Sequence, residues 1–259
     1  MPAPEDSTCP VCGCRETVVL QKELNISCAD YFEGARLYKE DAGQTPLAQC
    51  GGCGFARFPE MHAWPPETFQ ARIYNEDYQR CDPPFEDERP ARLARWLAPH
   101  FQGRRLIDYG GGNGRTAQRL RDQGVEAVSF DPFYGDETLP HWRADGVTAF
   151  EVVEHVPDQR ALFTAMLDLL KPGGILIFST LLQPPSLAPD WWYASARNGH
   201  ISFHTTASLT RTLQDAGAAL MSISDEIHLA ARDAKALNRW REMTPIAVSG
   251  TPPHAVLDT

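Results

Sequence analysis

The sequence predicts an α/β protein, a doubly wound and mostly parallel sheet preceded by a small cysteine-rich module. Three observations carry that expectation. From residue 87 onward, short apolar runs alternate with amphipathic segments, the pattern of strands joined by crossover helices. "LIDYGGGNGRT" (106–116) places a glycine-rich turn directly between an apolar run and a helical pattern. Six of the seven cysteines lie in the first 53 residues, four of them as two Cys-x-x-Cys pairs. Composition shifts divide the chain into residues 1–60, a metal-binding module; 61–86, a proline- and aromatic-rich linker or lid; and 87–259, the α/β domain.

From the N-terminus, Cys9 and Cys12 in "CPVCG" and Cys50 and Cys53 in "CGGCG" form two knuckles. Glycine beside each pair lets the turn aim two sulfurs at one ion, and two knuckles make a tetrahedral four-thiolate site, as in zinc ribbons. Structural Zn²⁺ is therefore expected on Cys9, Cys12, Cys50 and Cys53, with Cys14 and Cys28 spare and the residues between the knuckles folded as a small insert. In the third region, Leu93, Trp96, Leu97 and Phe101 recur at helical spacing. Strand "RLIDYG", a helix from Arg115 closed by Gly124, and strand "EAVSFD" ending at Asp131 follow. "GVTAFEVV" reads as a buried strand. Asp158 then caps a helix with Leu162, Met166, Leu169 and Leu170 on one face, stopped by "KPGG". "ILIFSTLL" is the next strand, a helix ends at Gly217, and "LMSISDEIHLAAR" supplies antiparallel edge strands.

The glycine turn narrows the choice of cofactor. A loop of this kind brings backbone close to a ligand and feeds a helix N-terminus, which in dinucleotide enzymes holds a pyrophosphate. Asp108, two residues before Gly110, would repel a pyrophosphate but suits an ammonium group or hydroxyls. About twenty residues on, Asp131 ends the second strand, where an acid accepts ribose hydroxyls. A ribose beside a cation describes S-adenosylmethionine (SAM).

These residues resemble the class I SAM-dependent methyltransferases, over roughly residues 87–232. "DYGGGNG", "SFDP", "VTAFEVVEHVPD" and "LLKPGGILIFST" look like that family's motifs in order. The resemblance implies a Rossmann-like sheet with Asp108 and the backbone at Gly110 and Gly112 near the methionine moiety, and Asn113 and Gly114 also among the cofactor-binding residues. Asp131 would take the ribose hydroxyls, with Pro132 beside it in the cofactor site, Phe133 would border the adenine, and Phe150 and Glu151 would line the cleft. The dozen or so residues between "SFDP" and "DGVTAFE" are too few for the family's usual third strand, so that strand is expected to be short or lost.

The cysteine module, a tyrosine-bearing linker and "GHISFHT" together resemble the deoxysugar C-methyltransferases, without their long C-terminal domain. That resemblance implies His200 as general base and Tyr78 of "IYNEDY" lying over the active site, while Arg197 stands where the family has tyrosine. His155, in "EH" after the fourth strand, is a further catalytic candidate; His204 is a lesser one, and Trp191, Trp192 and Tyr193 are candidate pocket walls. The expected partner is a small-molecule acceptor, sugar-like or a secondary metabolite. A net charge of -10 counts against nucleic acid. The alternatives are an RNA methyltransferase with an N-terminal zinc finger, and a non-enzymatic zinc-ribbon and SAM-fold binding protein. No apolar run reaches the length of a membrane span and the N-terminus lacks a secretory pattern, so a cytoplasmic location is expected.

Overall fold

The computed structural model describes residues 7–32, 36–81, 87–132 and 138–243. Phe133 lies outside the described residues. The chain forms two compact units, both discontinuous: residues 1–83, 154–159 and 181–211 make unit 1, and residues 84–153, 160–180 and 212–259 make unit 2.

In unit 1, β1 (Glu16–Glu23) pairs antiparallel with β2 (Gln44–Cys50), in a register running from Glu16 opposite Cys50 to Glu23 opposite Gln44. This hairpin explains how two distant cysteine knuckles meet. The insert between the strands, which contains α1 (Cys28–Phe32), leaves from their far end. The first knuckle, closed by a bridge between Thr8 and Arg15, therefore returns beside the second. Lys22 of β1 is buried, and its ammonium donates to Tyr31 Oη (2.7 Å) and to the carbonyls of Pro189 (2.8 Å) and Trp191 (3.3 Å). Strand β3 (Ala56–Arg57) follows, then three short helices: α2 (Pro59–His62), α3 (Pro66–Arg72) and α4 (Tyr78–Cys81). Pro59 opens α2 and Pro66, in the expected linker, opens α3, where the fixed φ of proline favours a first turn and no N–H is needed.

Unit 2 begins with α5 (Glu88–Leu97), which buries Leu93, Ala94 and Leu97. It continues through β4 (Arg105–Tyr109), α6 (Arg115–Asp122), β5 (Glu126–Phe130) and β6 (Ala144–Ala149). Helix α7 (Gln159–Asp168) starts directly after Asp158, and β7 (Leu170–Ser179) follows. The short β8 (Ser202–Phe203) belongs to unit 1, where it pairs with β3 and completes a sheet of order β1-β2-β3-β8. The remaining elements are α8 (Thr206–Asp215), β9 (Ala219–Ser222), β10 (Ile227–Ala231) and α9 (Ala234–Met243). The second sheet has the order β5-β4-β6-β7-β10-β9, parallel from β5 to β7 and antiparallel at β10 and β9. Its core joins Leu97, Phe101, Leu106, Leu120, Ile177, Leu229 and Trp240.

Several expectations shift in detail. The strand read as "GVTAFEVV" ends at Ala149, because Glu151 takes a left-handed conformation (φ 55°) that no strand accommodates. Leu170 opens β7 instead of closing the preceding helix, since it pairs with Ala144 across the parallel ladder. Among the described residues no strand lies between β5 and β6, which leaves β5 at the sheet edge. Helix α9 was not anticipated; Trp240 anchors it in the core.

Candidate functional site

In unit 2, the ends of β4, β5 and β6 converge on the glycine turn. Asp108 stands in register with Thr148 on one side and Ser129 on the other. It is 3% exposed, and Thr148 Oγ1 donates to its Oδ1 at 2.8 Å. Oδ2 is buried with no hydrogen-bond partner among the described residues. Burial, and then the nearby Asp131 charge, push the Asp108 carboxyl up to about 7 against the hydrogen bond from Thr148. Gly110 (φ 70°) donates to the Phe130 carbonyl at 2.7 Å; a side chain there would strike Val152, with its Cβ 2.5 Å from Cγ2. A Cβ on Gly111 would run into Asp108 Oδ2 and Ser129. Gly112 donates its N–H to Asp131 Oδ2 at 2.9 Å, which orients that carboxylate toward the turn. Gly114 caps α6 with φ 74°, and Asn113 Oδ1 accepts the Arg115 N–H at 3.3 Å.

The loop after β6 adds Phe150, packed edge-on against Trp96 at 6.0 Å, and Glu151. Ser179 Oγ, at the end of β7, accepts the Glu151 N–H (2.8 Å) and donates to Glu151 Oε1 (2.9 Å), holding the strained residue in place. Burial, and then the Glu151 charge, push Glu226 up to about 8. Pro132 is exposed directly after Asp131.

In unit 1 the structure gathers histidines and tyrosines. The left-handed turn at Gly199 (φ 83°) brings its carbonyl 3.1 Å from His155 Nδ1, and Tyr74 Oη is also 3.1 Å from that nitrogen. A Cβ at Gly199 would sit 3.0 Å from both Tyr74 Oη and Ile73 Cγ2, so the close approach requires glycine. His200, 4% exposed, places Nδ1 2.8 Å from the Tyr193 carbonyl. Its ring meets His155 edge-on at 4.9 Å and Tyr193 at 4.5 Å. Glu154 is fully buried, with Oε1 3.8 Å from His155 Nε2. Tyr78 packs on Tyr74 at 5.1 Å, and its hydroxyl donates to the Asn198 carbonyl at 3.5 Å. Arg197 is buried over the Tyr38 ring and donates to the Ile73 carbonyl (2.9 Å) and Asn75 Oδ1 (3.0 Å). His204 is fully buried, with Nδ1 on Ser208 Oγ (3.1 Å) and Nε2 on Gln159 Oε1 (3.0 Å). Both of its nitrogens are thus tied into the packing of unit 1.

The four knuckle sulfurs cluster within 4.8 Å of one another. Cys9 and Cys53 Sγ are 3.6 Å apart, and Cys12 and Cys50 Sγ are 3.3 Å apart, too far for disulfides. A tetrahedral zinc–thiolate site, with Zn–S near 2.3 Å, separates its sulfurs by about 3.8 Å, so the set fits Zn²⁺. The N–H groups of Gly52 and Cys53 point at Cys50 Sγ (3.3 and 3.5 Å), the support a thiolate needs. Cys14 is exposed, and Cys28 Sγ donates to the Trp192 carbonyl, so neither belongs to the set.

Sequence reasoning missed Gly111, Thr148, Ser179, Tyr74 and the Tyr193 carbonyl. The period of two along β6 could have supplied Thr148, two residues before Phe150. No local signal marks the others, whose roles arise from packing.

The buried Asp108 with an unsatisfied oxygen, the bare backbone above it and the oriented Asp131 fit a cationic, hydroxyl-bearing cofactor and repel a pyrophosphate. On a six-stranded sheet that turns antiparallel at one edge, this is the arrangement of a Rossmann-like SAM-dependent methyltransferase. A family described as "Methyltransferase domain" matches residues 79–223, and the chain belongs to it. It is 30% identical, over 150 residues covering 45% of this chain and 60% of the relative, to a ubiquinone biosynthesis O-methyltransferase of Dinoroseobacter shibae. It is 32% identical, over 130 residues (39% and 52% of the two chains), to a protein of the same name from Alkalilimnicola ehrlichii. The chain thus spans between about half and two thirds of the length of these relatives. Among solved structures, the pyocyanin biosynthetic protein PhzM aligns with a TM-score of 0.48 at 17% identity, covering 64% of this chain and 61% of that one. Magnesium protoporphyrin IX methyltransferase from Synechocystis PCC 6803, with bound SAH, aligns with a TM-score of 0.43 at 16% identity, covering 57% and 84%. No described helix is long and apolar enough to cross a membrane.

Proposed function

We propose that the chain transfers the methyl group of SAM to an oxygen of a small hydroxyl-bearing acceptor, sugar-like or another small metabolite. The observation that carries this reading is the pair Asp108 and Asp131 flanking the glycine turn. Asp108, with Gly110, Gly112, Asn113 and Gly114, would hold the methionine end. Asp131 would hold the ribose, with Pro132, Phe133, Phe150 and Glu151 around the base and cleft. The names of the O-methyltransferase relatives support oxygen as the methylated atom.

Bound SAM supplies a methyl group on a sulfonium, and the acceptor must offer an electron pair in line with it. His200 is our candidate for general base, assisted by His155 and Tyr78. The Tyr193 carbonyl can only accept a hydrogen bond, so it holds the His200 proton on Nδ1 and leaves Nε2 to take one. The acceptor O–H breaks toward Nε2, the oxygen pair forms the new C–O bond, and the C–S pair returns to sulfur, giving S-adenosylhomocysteine (SAH). Residues 1–60 would serve as a zinc-held module, with Zn²⁺ structural because four thiolates leave no open position. Residues 61–86 would act as a lid segment and 87–259 as the catalytic domain.

The test is calorimetric binding of SAH to zinc-loaded protein, followed by label transfer from methyl-labelled SAM to a panel of sugars, phenols and RNA. SAH binding with label on a hydroxylated small molecule is the expected result. Absence of SAH binding would sink the reading, and label on RNA would replace its acceptor.

A further inference from the structure

Glu154, His155 and His200 form a second group with the makings of a metal site, on different elements of unit 1 from the cysteine cluster. One carboxylate oxygen and one nitrogen from each ring all lie within 4.8 Å of one another. Glu154 is fully buried and His200 nearly so. The orientation of the rings is as telling as their proximity. His155 Nδ1 lies against the Gly199 carbonyl and His200 Nδ1 against the Tyr193 carbonyl. A carbonyl accepts and never donates, so His200 gives its Nδ1 proton to Tyr193. His155 Nδ1 faces both the Gly199 carbonyl and the Tyr74 hydroxyl; when it gives its proton to that carbonyl, the hydroxyl turns its own proton elsewhere and Nε2 can serve as a ligand. Metal-bound imidazoles are fixed in this way, by giving the other ring N–H to a backbone carbonyl or carboxylate. His155 Nε2 is on the Glu154 side, 3.8 Å from Oε1. A divalent cation would bring these donors together and hold a fully buried carboxylate ionised.

We propose that Glu154 with the Nε2 atoms of His155 and His200 binds a divalent cation, separate from the four-thiolate site. Two imidazoles and a carboxylate suit Mn²⁺, Fe²⁺, Co²⁺ or Zn²⁺. Three protein ligands leave coordination positions for oxygen donors, which the four-thiolate site lacks. The consequence for catalysis rests on the methyltransferase reading. In the loaded form His200 Nε2 is a ligand, and a hydroxyl bound to the cation loses its proton to solvent water more easily. In the metal-free form Nε2 itself takes the proton.

Manganese separates the two sites, because thiolates select zinc over this harder ion. Full-length zinc-loaded protein is titrated with Mn²⁺ and the free ion followed by electron paramagnetic resonance, with elemental analysis of zinc. The expected result is one Mn²⁺ per chain in addition to the thiolate-bound zinc. Glu154→Gln and His200→Ala should each weaken Mn²⁺ by at least about tenfold, while zinc content and SAH affinity stay at wild-type values and certify the fold; His155→Gln replaces either variant if it fails to fold. No bound Mn²⁺, Co²⁺ or second Zn²⁺ in the wild type, or variants that bind Mn²⁺ as the wild type does, would overturn the proposal. Loss of SAH binding in the wild type would sink the methyltransferase reading alone.

Discussion

The glycine turn of unit 2 and the histidine and cysteine clusters of unit 1 are built on opposite plans. The turn draws on short loops at the ends of adjacent strands, so parallel pairing brings Asp108, Ser129 and Thr148 side by side. Its chemistry resides largely in backbone: bare N–H groups, left-handed glycines and one buried carboxylate. The clusters of unit 1 each draw on two segments roughly 40 residues apart, Cys9–Cys12 with Cys50–Cys53 and Glu154–His155 with His200. A strand from beyond β7 completes its sheet, and a glycine turn aims His155 and His200 at backbone carbonyls. A site made by strand pairing needs only short loops at neighbouring strand ends; one made by separated segments depends on how the whole of unit 1 packs.

That contrast can be broken or sharpened experimentally, beginning with the largest effect. Stripping zinc with a chelator, or replacing Cys50 by Ser, is expected to unfold the hairpin module, since structural zinc contributes of order ten kcal/mol in small metal domains. Amide exchange should rise across β1 and β2 while SAH still binds; unchanged protection in β1 would show that the thiols are not metal ligands. Next, Gly110→Ala should lower SAH affinity by about 100-fold, because a left-handed alanine costs about 1–2 kcal/mol before its collision with Val152 is counted. Calorimetry gives the answer directly, and wild-type affinity would place the cofactor elsewhere.

Asp108→Asn tests the carboxylate itself. The folded pKa of about 7 lies well above the ordinary carboxylate value of the unfolded chain, so this group's contribution to stability is full at low pH and is lost as pH rises toward 7. The asparagine variant should melt a few degrees higher at neutral pH yet bind SAM at least about tenfold more weakly; a lower melting temperature would contradict the assigned burial cost. In the wild type, SAM affinity should fall by about tenfold per pH unit below 7, because the empty site then holds a proton that the cation must displace. Calorimetry in buffers of different ionisation enthalpy should register proton release near pH 6, and its absence would show that Asp108 is already ionised. The smallest expected effect on binding is that of His200→Ala, which should leave SAH affinity within about twofold while lowering turnover of a confirmed acceptor by about 100-fold, the scale of a lost general base. Equal turnover would remove His200 from that role.

Much of unit 2 was legible because its signals are local. Asp108 and Asp131 flank a turn written in a few consecutive residues, and alternating apolar runs announced the parallel strands. Even there, the end of β6 depended on Glu151 being held left-handed by Ser179, a residue 28 positions away. In unit 1 the two Cys-x-x-Cys pairs were readable by spacing, and His200 stood out within an aromatic segment. That Tyr74 touches His155 while Tyr78 packs behind it was not readable, since both tyrosines lie in the same short stretch. Nor was the burial of His204 against Gln159 and Ser208.

By itself the sequence determined the α/β class, the turn between two acids and four cysteines in two knuckles, because each is encoded by neighbours in the chain and by simple periodicity. Tertiary structure decided that β8 joins the N-terminal sheet, that Glu154, His155 and His200 gather in one place, and that a backbone carbonyl lies against Nδ1 of each ring. Those outcomes depend on long-range packing and on which backbone carbonyl lies within reach of a side chain, and no pattern along the chain specifies either.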